Sequence, residues 1–163
     1  MFQLASQGEG PADYPTLLAQ AESLMRGEHD LIANAANLAS LVYHQVPDLN
    51  WVGFYLVRDQ ELVVGPFQGL PACVRIAHGR GVCGTAWATA QRQVVDDVEA
   101  FPGHIPCDAA SRSEVVIPLL KDGRVFAVLD VDSPTPARFA QADVEGLQAI
   151  ADLFVRCCQN TSI

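Results

Sequence analysis

Apolar residues recur at helical spacing in two segments near the start of the chain, YPTLLAQAESLMRG and HDLIANAANLASLVYHQV. Both are rich in Ala and Leu, with a glycine between them, and they predict two helices. From Asn50 the pattern changes. NWVGFYLV, ELVVGPFQ and ACVRI are short, rich in β-branched and aromatic residues and separated by turn residues, so they read as strands. GTAWATAQRQ reads as a helix following the glycines at 79–84, and VVDDV as a brief strand. EVVIPLL and RVFAVLDV flank Asp122-Gly123, a strong hairpin signal. A last helix from about Gln141 carries apolar Val144, Leu147, Ile150, Ala151 and Phe154. Strands that follow one another directly predict an α+β fold, a central antiparallel sheet with the N- and C-terminal helices packed on one face. We expect residues 1–163 to form one domain: N-terminal helices at 1–49, sheet and site loops at 50–139, and a C-terminal helix at 140–163.

At 163 residues the chain is long enough to bury a full core. Its net charge of -9 argues against nucleic acid or an anionic membrane as partner, because both need basic surfaces. The charge is compatible with a cationic small ligand. No apolar run approaches the roughly 18 residues of a membrane span, and MFQLASQGEGPADYP lacks the basic and apolar regions of a secretory signal. A reducing cytoplasm is the expected location. There the five cysteines, odd in number and irregularly spaced, make a poor structural disulfide framework. Cys157 and Cys158 end the last helix and read as incidental.

Two motifs are declined on context. GRGVCG, Gly79 to Gly84, matches a dinucleotide fingerprint letter for letter. The strands after it read as antiparallel, however, and Asp96 and Asp97 come too soon for the acidic partner about 20 residues on; a glycine turn ordering Cys83 fits better. Cys73, Cys83, His104 and Cys107 lack the tight knuckles of structural zinc, and His29, His44 and His78 show no ligating spacing. No metal and no bound cofactor are expected.

Chemistry concentrates in FPGHIPCDAASRSEVV, Phe101 to Val116. Pro102, Gly103 and Pro106 restrict the backbone before Cys107, which reads either as an inert core residue or as a thiol displayed on a functional loop. Beyond the hairpin, Asp130 and Asp132 stand two apart and so project from one face of a strand. Those two acids either meet water at the strand end or form a site. The position of Glu114 depends on the turn. A two-residue loop pairs Lys121 with Arg124 and sends Glu114 to the opposite face from Asp130. A three-residue turn with a bulge at Gly123 pairs Leu120 with Arg124 and sets Glu114 directly across from Asp130. We expect the bulged form, with all three acids on one face. Like charges opposed in a sheet destabilise it, so the cluster implies a cation, either a metal or a ligand's ammonium group, of which the ammonium better suits a site that also displays a thiol.

NWVGFYL, GPFQGLPACVRI, GRGVCGTA, FPGHIPCDAASRSEVVIP and VLDVDSP together resemble, in order and spacing, the free methionine-(R)-sulfoxide reductases, enzymes built on a GAF domain. The match runs from about Asn50 to Phe139. Pro106, directly before the cysteine, departs from the usual pattern and bears on how that loop moves. The resemblance implies that Cys107 is the nucleophile and Cys73 the resolving thiol, with Cys83 a third motif cysteine of open role. It further implies that Trp51 and Tyr55 are the pocket aromatics, and that Glu114, Asp130 and Asp132 bind free methionine sulfoxide. A sulfenic acid at Cys107 would condense with a neighbouring thiol to a disulfide, which thioredoxin reduces. Nearby carboxylates oppose a thiolate; the substrate's ammonium would offset them, and one protonated acid could hydrogen-bond the sulfoxide oxygen. A homodimer is compatible with the two extra N-terminal helices. The rival readings are a non-enzymatic GAF sensor of a small molecule, which needs neither Cys107 nor Cys73, and a bare redox sensor, which needs no acid cluster. A chain of this length with no output domain fits an enzyme better.

Overall fold

The computed structural model describes residues 2, 10–105 and 107–158. Two helices open it, α1 (Tyr14–Met25) and α2 (Leu31–Gln45), and each starts at an aspartate that caps its exposed N–H groups. Asp13 accepts from the Thr16 N–H at 3.1 Å, and Asp30 from the Ala33 N–H at 2.8 Å. Six strands follow: β1 (Trp51–Arg58), β2 (Glu61–Gly69), β3 (Arg75–Ala77), β4 (Gln93–Val95), β5 (Ser113–Lys121) and β6 (Arg124–Ser133). They form one antiparallel sheet in the order β3-β2-β1-β6-β5-β4. Helix α3 (Gly81–Thr89) stands between β3 and β4, and α4 (Gln141–Cys157) closes the described chain. No helix among the described residues is long and apolar enough to cross a membrane.

Alternation along the strands assigns the two faces. Val52, Phe54 and Leu56 of β1, Val115, Ile117 and Leu119 of β5, and Ala127, Leu129 and Val131 of β6 face α1, α2 and α4 and form the main core. This is the expected α+β arrangement. Asp143 ties the helices together: it accepts from the Tyr14 hydroxyl, the Arg138 guanidinium and the Ala140 N–H, all at 2.9 Å. The opposite face carries Trp51, Tyr55, Val116 and Val128, covered by α3 through Val82, Cys83 and Ala86.

The β5–β6 hairpin departs from the expected register. Asp122 and Gly123 both have positive φ, 51° and 75°, so the turn has two residues and Lys121 pairs with Arg124. By itself this register would turn Glu114 away from the aspartates. Leu120 pairs with Val125 but Leu119 pairs with Ala127, leaving Phe126 as an extra residue in β6. Phe126 and Ala127, consecutive in sequence, therefore both reach the helix-side core. Beyond that bulge Glu114 lies directly across from Asp132, not Asp130. The three acids share one face after all.

Two other boundaries differ from expectation. Helix α3 occupies Gly81–Thr89 instead of 84–93, because Ala90 turns into the left-handed region (φ 52°) and Gln93–Val95 pair with Glu114–Val116. Strand β3 starts only at Arg75; Cys73 before it is engaged elsewhere. Pro106, expected to influence the loop, lies outside the described residues.

Candidate active site

The α3 face of the sheet builds the site from its strands outward. Trp51 and Tyr55 project on this side of β1, two per cent or less exposed. The indole stacks on Phe67 (centroids 5.2 Å apart) and on Tyr55 (5.8 Å), and its N–H donates to the Leu70 carbonyl at 3.1 Å. Between them in sequence stands Gly53, where any Cβ would run into the Trp51 ring and Phe67, so only glycine lets the indole lie flat there. The Tyr55 hydroxyl donates to the Cys73 carbonyl at 3.1 Å. Burial raises the Tyr55 pKa, and Asp130 adds to the rise, so the phenol keeps its proton.

Cys73, on the β2–β3 connection, is disulfide-bonded to Cys107, with Cα atoms 5.2 Å apart. Cys107 sits on the loop before β5. That loop is fastened to the sheet by Asn50, which the sequence reading passed over. Its side-chain amide donates to Asp108 Oδ2 (2.9 Å) and Ser111 Oγ (3.0 Å), and its backbone N–H donates to the Asp132 carbonyl (3.0 Å). Asp108 in turn accepts from the Ala110 N–H at 2.8 Å, an Asx turn just after the cysteine. An Asn at the first position of a predicted strand, with its partners in a D-x-x-S loop far along the chain, gives no local signal of this clamp.

Below the disulfide lie Glu114, Asp130 and Asp132, 7%, 6% and 9% exposed. Burial, then the neighbouring carboxylates, raise Glu114 well above the ordinary carboxyl range. Burial and then Asp130 do the same to Asp132. Burial also raises Asp130, which stands beside Glu114 and Cys83, but only to about 6. Oδ1 of Asp130 and Oδ1 of Asp132 are buried with no hydrogen-bond partner among the described residues. Cys83, in the first turn of α3, faces the acids with Sγ 4.0 Å from Glu114 Oε1; burial raises its pKa, reinforced by Asp130.

A cavity of about 30 Å³ lies between these groups, lined by Tyr55, Arg80, Cys83, His104, Cys107 and the three acids among others. Burial lowers the His104 pKa. The structure thus brings six of the eight residues singled out in sequence to one cavity. Cys73 reaches it through its bond to Cys107, and Trp51 lies outside the lining, behind Tyr55.

Such an arrangement suits thiol redox chemistry on a small cationic molecule: a dithiol pair, an acid cluster with two unused acceptors, and an aromatic wall. Comparison with known proteins agrees. Residues 33–156 match the GAF domain family. The chain is 50% identical over 141 residues to free methionine-R-sulfoxide reductase of Escherichia coli, covering 86% of each chain. It is 40% identical over 150 residues to the Saccharomyces cerevisiae protein of the same name, covering 87% of this chain and 83% of that one. The X-ray structure of free methionine-R-sulfoxide reductase from Neisseria meningitidis in complex with its substrate superposes with a TM-score of 0.92 at 44% identity, covering 98% and 96% of the two chains.

Proposed function

Because the chain belongs to the GAF-domain free methionine-(R)-sulfoxide reductases, a family of oxidoreductases, we propose that it reduces free L-methionine-(R)-sulfoxide to methionine through Cys107. The observation that carries this reading is the Cys73–Cys107 disulfide standing over three buried carboxylates. In the reduced protein the Cys107 thiolate attacks the sulfoxide sulfur. The sulfoxide oxygen passes to Cys107 as a sulfenic acid, and methionine leaves. The Cys73 thiol then condenses with the sulfenic acid, expelling water and forming the disulfide, which keeps Cys107 off the irreversible rungs of oxidation. Thioredoxin returns the pair to dithiol by exchange, as expected for an enzyme working in the cytoplasm.

The acids divide the remaining work. Asp130, with the lowest pKa of the three, is the carboxylate for the substrate's ammonium, and its unpartnered Oδ1 is the natural acceptor. Glu114 keeps its proton and donates to the sulfoxide oxygen as charge gathers there. Asp132, directly across the ladder from Glu114, adds a second free acceptor. Tyr55 walls the cavity while Trp51 backs it. Arg80 and the start of α3 face the same cavity and supply donors for the substrate carboxylate. A homodimer would leave this chemistry unchanged.

The test supplies free methionine-(R)-sulfoxide with thioredoxin, thioredoxin reductase and NADPH, and follows nicotinamide oxidation. Steady turnover is expected. Cys107→Ser should abolish it, while Cys73→Ser should release one methionine per chain and then stall. Absence of turnover by the native chain would remove the reading. Full recycling in Cys73→Ser would move the resolving role to another thiol.

A further inference from the structure

The proposed reaction leaves one buried nucleophile unused. Cys83 is 4% exposed, is not part of the disulfide, and is placed by the first turn of α3 against the acid cluster. One ligand atom each from Cys83, Glu114 and Asp130 lies within 4.8 Å of the other two. An ammonium group gains little from such a neighbour, because a thiol sulfur is a weak acceptor. A metal ion with affinity for sulfur gains a great deal. The unpartnered Oδ1 atoms of Asp130 and Asp132, both at least nine-tenths buried, independently mark a place where a cation is missing its share of contacts.

We propose that Cys83, Glu114 and Asp130 form a binding site for a thiophilic divalent cation of the zinc class, which occupies the ammonium position and holds the enzyme idle. A tetrahedral ion with metal–sulfur and metal–oxygen bonds of about 2.3 and 2.0 Å sets its ligands roughly 3.5 Å apart. The Cys83 Sγ to Glu114 Oε1 separation of 4.0 Å therefore needs only a small side-chain rotation. Asp132, opposite Glu114 on the ladder, would supply a third oxygen as the fourth ligand after a side-chain movement. Magnesium and calcium are disfavoured, because they take all-oxygen shells of six or more. On binding, the Cys83 thiol and any protonated carboxyl lose their protons to solvent, so affinity rises with pH. The inhibitory consequence rests on the function proposed above; the binding itself does not.

The experiment uses the disulfide form, in which Cys73 and Cys107 are both blocked. Cobalt(II), a coloured stand-in for zinc, is titrated in and the absorption spectrum recorded. We expect a near-ultraviolet thiolate-to-cobalt charge-transfer band and intense visible bands of a low-coordinate site, saturating at one equivalent and displaced by zinc. Cys83→Ala should abolish the charge-transfer band. Asp130→Asn, which preserves side-chain volume, should weaken binding by roughly tenfold or more. Cys157→Ser, at the far end of α4, should leave the spectrum unchanged. A native protein without the band, a band of native strength in Cys83→Ala, or a native cobalt affinity in Asp130→Asn would overturn the site. The readout involves no turnover, so it succeeds or fails separately from the sulfoxide assay.

Discussion

Asp130 shows why this site opposes the stability of the fold that carries it. A solvated aspartate titrates near 3.9, whereas burial pushes Asp130 up to about 6. For an acid with a raised native pKa, the unfolded chain binds fewer protons than the native one between those two values. Stability therefore falls as pH climbs through that window and stays lower above it. The penalty is on the order of 1–3 kcal/mol. Asp130→Asn should accordingly raise the melting temperature by several degrees at pH 8, and the gain should vanish below about pH 4, where both states hold the proton. The same variant should lose substrate affinity, since its amide no longer carries charge for an ammonium. Calorimetric melts at the two pH values, set beside KM from the coupled assay, measure both effects. A variant no more stable at pH 8 than the native protein would contradict the burial argument, and an unchanged KM would remove Asp130 from the ammonium site.

At the scale of elements, the Cys107 loop is held at both ends: by the disulfide to the β2–β3 connection, and by Asn50 to the start of β1. With both fastenings made, the cavity of about 30 Å³ has room for little more than a water or two, far below the roughly 300 Å³ of ordinary small-molecule pockets. Under the proposed function, reduction of the disulfide would free the loop and let an amino acid enter. Free methionine, which carries the same ammonium and carboxylate as the substrate, should therefore raise the melting temperature of the reduced protein and leave the disulfide form unaffected. Equal shifts in both forms would show that the loop does not gate the pocket. The hairpin beside this loop shows how far the sequence could be read. Asp122-Gly123 announced a turn, and the alternation in RVFAVLDV announced a strand. The choice between turn types depended on the count of residues between the ladders, and the bulge that settles the outcome sits at Phe126, inside β6. No local residue signals it. Phe126 is an ordinary strand residue that gains helix-side burial by slipping the register. The turn differs from the expected type, and the bulge at Phe126 restores the three acids to one face. The Asn50 clamp was illegible for a similar reason, since its partners lie 58 and 61 positions away. The helices, whose signals are local, were read within a few residues of their observed ends.

Across the whole molecule the sheet separates two tasks. One face is covered by three helices and contributes most of the apolar burial; the other, under α3 and two loops, holds polar groups that a protein would otherwise exclude. The thick face lets the thin one carry buried acids that burial alone makes costly. Selectivity follows from the same division. Under the proposed function, an amino acid that brings its own ammonium would satisfy Asp130 and its neighbours on entering, whereas methionine sulfoxide within a polypeptide would present an amide to buried carboxylates. Leaving a buried charge without its partner costs about 3–5 kcal/mol, which corresponds to at least a hundredfold in kcat/KM. N-acetyl-methionine-(R)-sulfoxide keeps the sulfoxide, the side chain and the carboxylate and lacks only the cation. In the thioredoxin-coupled assay its kcat/KM should fall below that of the free amino acid by that factor or more, and Asp130→Asn should narrow the gap, because the variant has less charge left to strand. Comparable rates for the two substrates in the native protein would mean that the acid cluster does not select for the ammonium group.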